Sequence, residues 1–203
     1  MRIYVMEALG TFFLVLTMGL SGNPFGVGLI LMAWVYFGAH ISGAHYNPAV
    51  SFAFYLKKEI SVALLFKYFV SQVTGAIIAA FVVLLISRVV FYVEPPTITN
   101  LYQQASVEIL MTFVFVYIML FVTKKGFSVT NHAYGLIVGL TFSGMLIIGD
   151  KISGGIYNPA LSIGTSVIDY LTGGASYKAI PLYTLAPCLG ASLAVWAFNY
   201  FER

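Results

Sequence analysis

Charge is scarce in this sequence: Asp, Glu, Lys and Arg together make up 8% of 203 residues, whereas a soluble domain carries about 25%. A soluble globular fold is excluded, because it would have too little polar surface to meet water. Cysteine is nearly absent as well. The single Cys188 cannot form an intrachain disulfide, and its apolar neighbours suit a small buried hydrophobe better than a reactive thiol. No basic face for nucleic acid can be assembled from a net charge of +3 spread along the chain. Strict polar/apolar alternation is missing from continuous runs such as residues 76–86, which excludes a transmembrane barrel. His40, His45 and His132 have no Cys or carboxylate neighbours at metal-ligand spacing, and no Ser/His/Asp set converges. Neither an enzyme nor a metal or cofactor site is expected.

What the chain has instead is apolar length. It is 60% hydrophobic, with a mean hydropathy of +0.93. Its 19 Gly, 17 Phe and 14 Tyr suit a bilayer, where Gly lets helices approach closely and aromatic rings collect at the interfaces. Lipid requires each backbone amide to be paired within its own segment, so the spans are helical. Six stretches are long enough to cross: residues 3–22, 25–41, 61–92, 102–123, 131–149 and 178–200, the third of which can be trimmed to the uncharged run between Lys67 and Arg88. The first contains Glu7 and no small-residue cleavage pattern follows it, so it reads as a span and not a signal peptide. With the N-terminus inside, Arg2, Lys57, Lys58, Lys67, Lys124, Lys125 and Arg203 fall on or near the cytoplasmic side, and Arg88, Lys151 and Lys178 outside. This excess predicts two cytoplasmic termini and suggests the plasma (inner) membrane. The segment from Glu94-Pro95-Pro96 through Gln104 is then an external loop.

The two halves repeat one another. Ile41-Ser42-Gly43 and Tyr46-Asn47-Pro48-Ala49 recur as Ile152-Ser153-Gly154 and Tyr157-Asn158-Pro159-Ala160, at a constant offset of 111. Gly28-Leu29-Ile30 recurs as Gly135-Leu136-Ile137, Glu7 with Thr11-Phe12 as Glu108 with Thr112-Phe113, and Gly75-Ala76 as Gly190-Ala191. Each half holds three spans, an odd number, so the second half enters the membrane from the opposite side and the repeat is inverted. The chain is expected to be one transmembrane domain, 1–203, made of halves at about 1–93 and 102–203.

After each Asn-Pro-Ala comes an apolar segment, 48–56 and 159–168, that reaches only about 13–15 Å as a helix, half the hydrocarbon thickness. Asn is a favoured N-cap and Pro a favoured first helical residue, so Asn47-Pro48 and Asn158-Pro159 read as helix starts. Two such half-helices entering from opposite faces meet near the midplane. Gly43 and Ala44, and Gly154 and Gly155, precede them as small residues that can stay extended. Non-helical backbone at this depth is tolerated where it is buried in protein or faces water.

On these residues the sequence resembles the aquaporins, the major intrinsic protein family of water and small-solute channels. The resemblance spans essentially the whole chain and is close from His40-Ile41-Ser42-Gly43 to His45-Tyr46-Asn47-Pro48-Ala49-Val50. It implies an all-α integral membrane fold, an aquaporin-like inverted repeat of six transmembrane helices plus two re-entrant half-helices, usually a homotetramer in the lipid bilayer with one pore per protomer. It implies that Asn47, Asn158, Pro48, Pro159, Ala49 and Ala160 lie at the pore midplane, with the Asn amides bonding the solute. Carbonyls of Gly43, Ala44 and His45, and of Gly154, Gly155 and Ile156, would form an acceptor ladder, and Glu7 and Glu108 would brace the loops.

One departure stands out. The family's outer constriction normally includes an Arg directly after the second Asn-Pro-Ala, and here that residue is Leu161. Alignment places the other constriction positions at Val27, at Leu146 (Ile147 if the register slips by one) and at Gly155, none of which is a cation, imidazole or ring. A guanidinium would supply donors, repel cations and narrow the opening, whereas Leu does only part of the last. The expectation is an open, apolar outer mouth passing water and/or small uncharged solutes such as glycerol, urea, ammonia or neutral metalloid acids. The alternative is that the loops fold inward or Lys151 reaches the mouth, and the pore is narrow or closed. A secondary transporter or a non-conducting membrane-assembly protein of the same fold are the other readings, since inverted repeats with broken helices also build carriers.

Overall fold

The computed structural model of the chain describes residues 1–124 and 133–202. Lys125, His132 and Arg203, and the start of the stretch 131–149, lie outside the described residues. The described elements are α1 (Arg2–Ser21), α2 (Pro24–Ser42), α3 (Pro48–Leu56), α4 (Val62–Ser87), α5 (Leu101–Thr123), α6 (Tyr134–Gly149), α7 (Pro159–Leu171) and α8 (Ile180–Phe201), the last preceded by a 3-10 turn at Ser176–Ala179. Among the described residues there is no strand. Helices α1, α2, α4 and α5, and α8 with its leading turn, are long and apolar enough to cross a membrane. The 16 described residues of α6 are apolar and shorter, about 24 Å at 1.5 Å per residue.

Capping chemistry sets the helix starts and moves three expected boundaries. Ser61 accepts from the Leu64 amide, so α4 begins before Lys67, whose ammonium sits over the Tyr4 ring. Asn100 and Gln103 form a capping box that starts α5. Gln104 therefore lies in a helix and not in a polar loop, and its amide donates to the carbonyls of Pro96 and Thr99. The second half-helix, α7, runs on to Leu171, past the expected end at 168, because nothing breaks it before Gly173 takes a φ of +93°.

Small residues join the long helices in pairs. A Cβ on Gly75 of α4 would overlap the Ala8 backbone of α1, and one on Gly190 of α8 would overlap the Ile109 backbone of α5. Gly28 of α2 and Gly139 of α6 face each other in the same way. Such contacts let backbones approach where lipid gives no hydrophobic drive to association. Large apolar side chains, among them Phe66, Ile86, Leu185 and Trp196, cover the exterior.

Both ends of the described chain lie on one face. Met1 and Arg2 share a cavity wall with His40 and Ile41 at the end of α2. Lys57 donates to Asn199 at 2.8 Å, and Lys124 pairs with Glu202. Gly22, the segment 91–94 and Asp150 wall a cavity at the opposite face.

Candidate functional site

Two loops build the site, one running from the end of α2 to α3 and the other from the end of α6 to α7. In the first, buried Glu7 of α1 accepts hydrogen bonds from Ser42 Oγ at 2.6 Å, the amides of His45 at 3.0 Å and Tyr46 at 2.7 Å, and Gln72 Nε2 at 2.8 Å. In the second, buried Glu108 of α5 accepts from Ser153 Oγ at 2.7 Å and from the amides of Ile156 at 3.0 Å and Tyr157 at 2.7 Å. The tyrosines repeat too. Tyr68 donates to the Ser42 carbonyl and Tyr183 to that of Ser153, while Tyr46 reaches the Trp34 carbonyl and Tyr157 that of Met145.

These anchors decide where the loop carbonyls point. In a planar trans peptide the N–H of one residue and the C=O of the residue before it point in opposite directions. The amides of His45 and Tyr46 point at Glu7, and that of Ala44 at Ser42 Oγ, so the carbonyls of Gly43, Ala44 and His45 point away. The amides of Gly155, Ile156 and Tyr157 are held by Ser153 and Glu108, which turns the carbonyls of Gly154, Gly155 and Ile156 away in the same manner. This backbone requires left-handed residues: Gly43 at φ +88°, Gly154 at +86° and Gly155 at +65°, with Ala44, Tyr46 and Tyr157 also at positive φ.

The half-helices start at the two asparagines. Asn47 Oδ1 accepts from the Ala49 amide at 2.8 Å and Asn158 Oδ1 from that of Ala160 at 3.0 Å, each with Pro at the first helical position. Each amide nitrogen crosses to the other loop: Asn47 Nδ2 donates to the Tyr157 carbonyl at 2.8 Å and Asn158 Nδ2 to that of Tyr46 at 3.0 Å. Both side chains are thereby fixed, and each retains a second amide hydrogen. Pro48 and Pro159 wall the same apolar cavity, so the positive ends of the two half-helices adjoin.

A cavity opens at each face beyond this junction. One, of about 230 Å³, is walled by Met18, Val27, Val93, Leu146, Gly154 and Ile156, with Phe91, Tyr92, Glu94 and Asp150 at its polar and aromatic side. The other, of about 390 Å³, is walled by Val35, Ala39, His40, Gly43, Phe54, Met119, Val122, Thr123, Tyr134 and Val138. Both use α2 and α6. Val27 and Val35 are eight residues apart on α2, about 12 Å along the axis. Leu146 faces the first cavity while Ile147 is 62% exposed on the outside. Leu161 is fully buried with Val15, Ala76, Ala79 and Ile156 and, like Gly155, does not wall that cavity. Lys151 is exposed and does not wall it either. Apart from Gly43, the wall residues of the terminal face were not anticipated, although the offset of 107 between Gly28 and Gly135 pairs Val27 with Tyr134 and Ala39 with Leu146.

The sequence model of the family described as Major intrinsic protein matches residues 16–198. The chain belongs to that family. Among major intrinsic proteins, the chain is similar to "Glycerol uptake facilitator protein-like 6" of Lactiplantibacillus plantarum, 33% identical over 217 residues that cover 97% of this chain and 96% of that protein. It is likewise similar to nodulin-26 of Glycine max, 31% identical over 212 residues covering 96% and 76%. The aquaglyceroporin of Plasmodium falciparum has the same fold, with a TM-score of 0.87 at 22% identity, covering 99% of this chain and 96% of that one. Major intrinsic proteins are channels, and this chain is an integral multi-pass membrane channel of the family and not an enzyme.

Proposed function

We propose that the chain conducts water and small uncharged solutes, such as glycerol, urea, ammonia or neutral metalloid acids, along a path joining the two cavities past Asn47 and Asn158. The observation that carries this reading is the outer cavity: Val27, Leu146 and Ile156 wall it, and among the described residues no Lys or Arg does. Its mouth therefore lacks both the fixed donors and the cation repulsion of a guanidinium. Glu94 and Asp150 at the rim disfavour anions.

A solute entering this path trades hydration for the outward carbonyls of Gly154, Gly155 and Ile156. It then meets the free amide hydrogens of Asn158 and Asn47, and afterwards the carbonyls of His45, Ala44 and Gly43. Because the asparagine oxygens are already capping α3 and α7, the midplane offers only donors. A passing oxygen is thus held through its lone pairs, and a cation meets two positive helix ends. We further assign the halves 1–93 and 102–203 to one channel domain, the termini to the cytoplasmic side of the plasma membrane, and the assembly to a homotetramer.

Stopped-flow light scattering on proteoliposomes tests the reading. Water, glycerol and urea fluxes above those of empty liposomes are expected, linear in concentration as for a channel. Water flux without glycerol or urea flux refutes the open apolar mouth, and saturable flux with counterflow identifies a carrier. Leu161 shares a buried cluster with Val93 and Ile156, which wall the outer cavity. The longer side chain of Leu161→Arg is therefore expected to reach past them and reduce glycerol and urea flux more than water flux; unchanged fluxes remove Leu161 from the constriction.

A further inference from the structure

The two halves match around their carboxylates, with two substitutions. Tyr68 pairs with Tyr183 and Gly75 with Gly190 at an offset of 115, which sets Gln72 opposite Pro187. In the first half, buried Gln72 uses both amide hydrogens, on Glu7 Oε2 at 2.8 Å and on Ser51 Oγ at 3.0 Å. His45 Nδ1 also lies 3.0 Å from Ser51 Oγ. In the second half Pro187 has no side-chain donor, and Ile156 stands in the place of His45. Ser162, the counterpart of Ser51, is 0% exposed and its hydroxyl has no partner. Thr112, the counterpart of a Thr11 that donates to the Glu7 and Tyr46 carbonyls, is 0% exposed and unpartnered as well.

Two fully buried hydroxyls without partners, at positions that match those around Glu7 in the first half, make a costly arrangement, and buried polar groups of this kind are ordinarily satisfied by ordered water. A primary amide and a water molecule present the same resource here, two hydrogens on one small atom. We propose that a single buried water is bound between Glu108 and Ser162, in the place that the Gln72 carboxamide holds in the first half, donating one hydrogen to the carboxylate and one to the serine oxygen. The first loop is thus braced by a side chain and the second by an exchangeable ligand.

A structure of the purified full-length protein that resolves ordered water is the direct test. The expected result is a density peak within hydrogen-bond distance of a Glu108 carboxylate oxygen and Ser162 Oγ, replaced by the side-chain amide in Pro187→Gln. No peak at that place in the wild type overturns the proposal, whatever Ser162 Oγ bonds instead. Thermal unfolding of Ser162→Ala gives a second reading with a definite sign. Removing a partner of a bound water lowers the midpoint, whereas removing a truly orphaned hydroxyl leaves it unchanged or raises it, and either of those two outcomes counts against the water.

Discussion

Truncation of Glu7 tests the claim that buried carboxylates hold the loops. Glu7→Ala removes the acceptor of four hydrogen bonds and leaves the amides of His45 and Tyr46 buried without one. An unsatisfied buried donor costs about 1–3 kcal/mol, so the two backbone amides alone cost about 2–6 kcal/mol, a large part of a total stability of about 5–15 kcal/mol. Glu7→Gln behaves differently. Its one carbonyl oxygen can keep the His45 amide and Ser42 hydroxyl, which share Oε1 of the native carboxylate. Its new NH2 can face Gln72 if that amide turns over and presents its unpartnered Oε1. Only the Tyr46 amide is then stranded, at about 1–3 kcal/mol. Thermal and denaturant unfolding of detergent-solubilised protein, followed by intrinsic fluorescence, should rank wild type above Glu7→Gln and Glu7→Gln above Glu7→Ala. An alanine variant within about 1 kcal/mol of wild type, less than one stranded amide costs, refutes the bracing role. A glutamine variant no better than alanine refutes the accounting of its partners.

The remaining predictions concern the helix contacts, the midplane and the loop backbone. Gly28→Ala places a methyl group against Ser143 and the Gly139 carbonyl; it should destabilise by about 1–3 kcal/mol and lower solute flux in proteoliposomes, because α2 and α6 wall both cavities. Asn158→Asp keeps the cap on Ala160 but loses the donor to the Tyr46 carbonyl, and its negative charge between two positive helix ends should open a cation leak, read as potassium-dependent voltage dissipation across liposomes; a leak no larger than wild type contradicts it. Gly155→Ala, at φ +65° and with its Cβ 3.2 Å from the Leu146 carbonyl, should cost about 1–2 kcal/mol in the same unfolding assay. Ala44→Gly, at the matching place in the first loop, should relieve strain and stay within about 1 kcal/mol of wild type.

Much of this arrangement is legible in the sequence because an inverted repeat writes its anchors twice. Glu, Ser-Gly, Tyr-Asn-Pro-Ala and the helix-packing glycines stand at matched offsets, and each sits in the structure where its twin does. The short first half-helix is also legible, since Asn47-Pro48 starts it and 57–58 are two lysines. Side-chain direction is less so. The residue after the second Asn-Pro-Ala, Leu161, is buried in a cluster with Val15, Ala76 and Ala79 that also holds Val93 and Ile156, two residues of the cavity wall. A linear alignment fixes where a backbone runs, while the left-handed residues of the loops decide which way its side chains leave. Charge also misled locally, because Lys67 and Gln104 are polar residues inside helices, each with a partner that accepts it there.

The repeat separates two kinds of residue. Apart from Gln72 against Pro187, positions that hold the loops are identical in both halves: Glu7 and Glu108, Ser42 and Ser153, Tyr46 and Tyr157, Asn47 and Asn158, Tyr68 and Tyr183. Positions that face the cavities differ, with Val27 against Tyr134, Ala39 against Leu146, and Phe54 against Thr165. A carboxylate accepting from loop amides works in only one geometry, so both copies must keep it. A cavity wall is held by packing and not by directed hydrogen bonds, so it can change at the smaller cost of repacking. The ends of the path therefore carry different chemistry on one scaffold, with His40, Phe54 and Tyr134 among the walls of the terminal face and the acidic Glu94 and Asp150 beside Val27, Leu146 and Ile156 at the opposite face. Exchanging Val27 for Tyr should consequently alter which solutes pass at a repacking cost of about 1–3 kcal/mol, whereas exchange at the Glu, Ser or Tyr anchors should lower the unfolding midpoint without changing the order in which solutes pass.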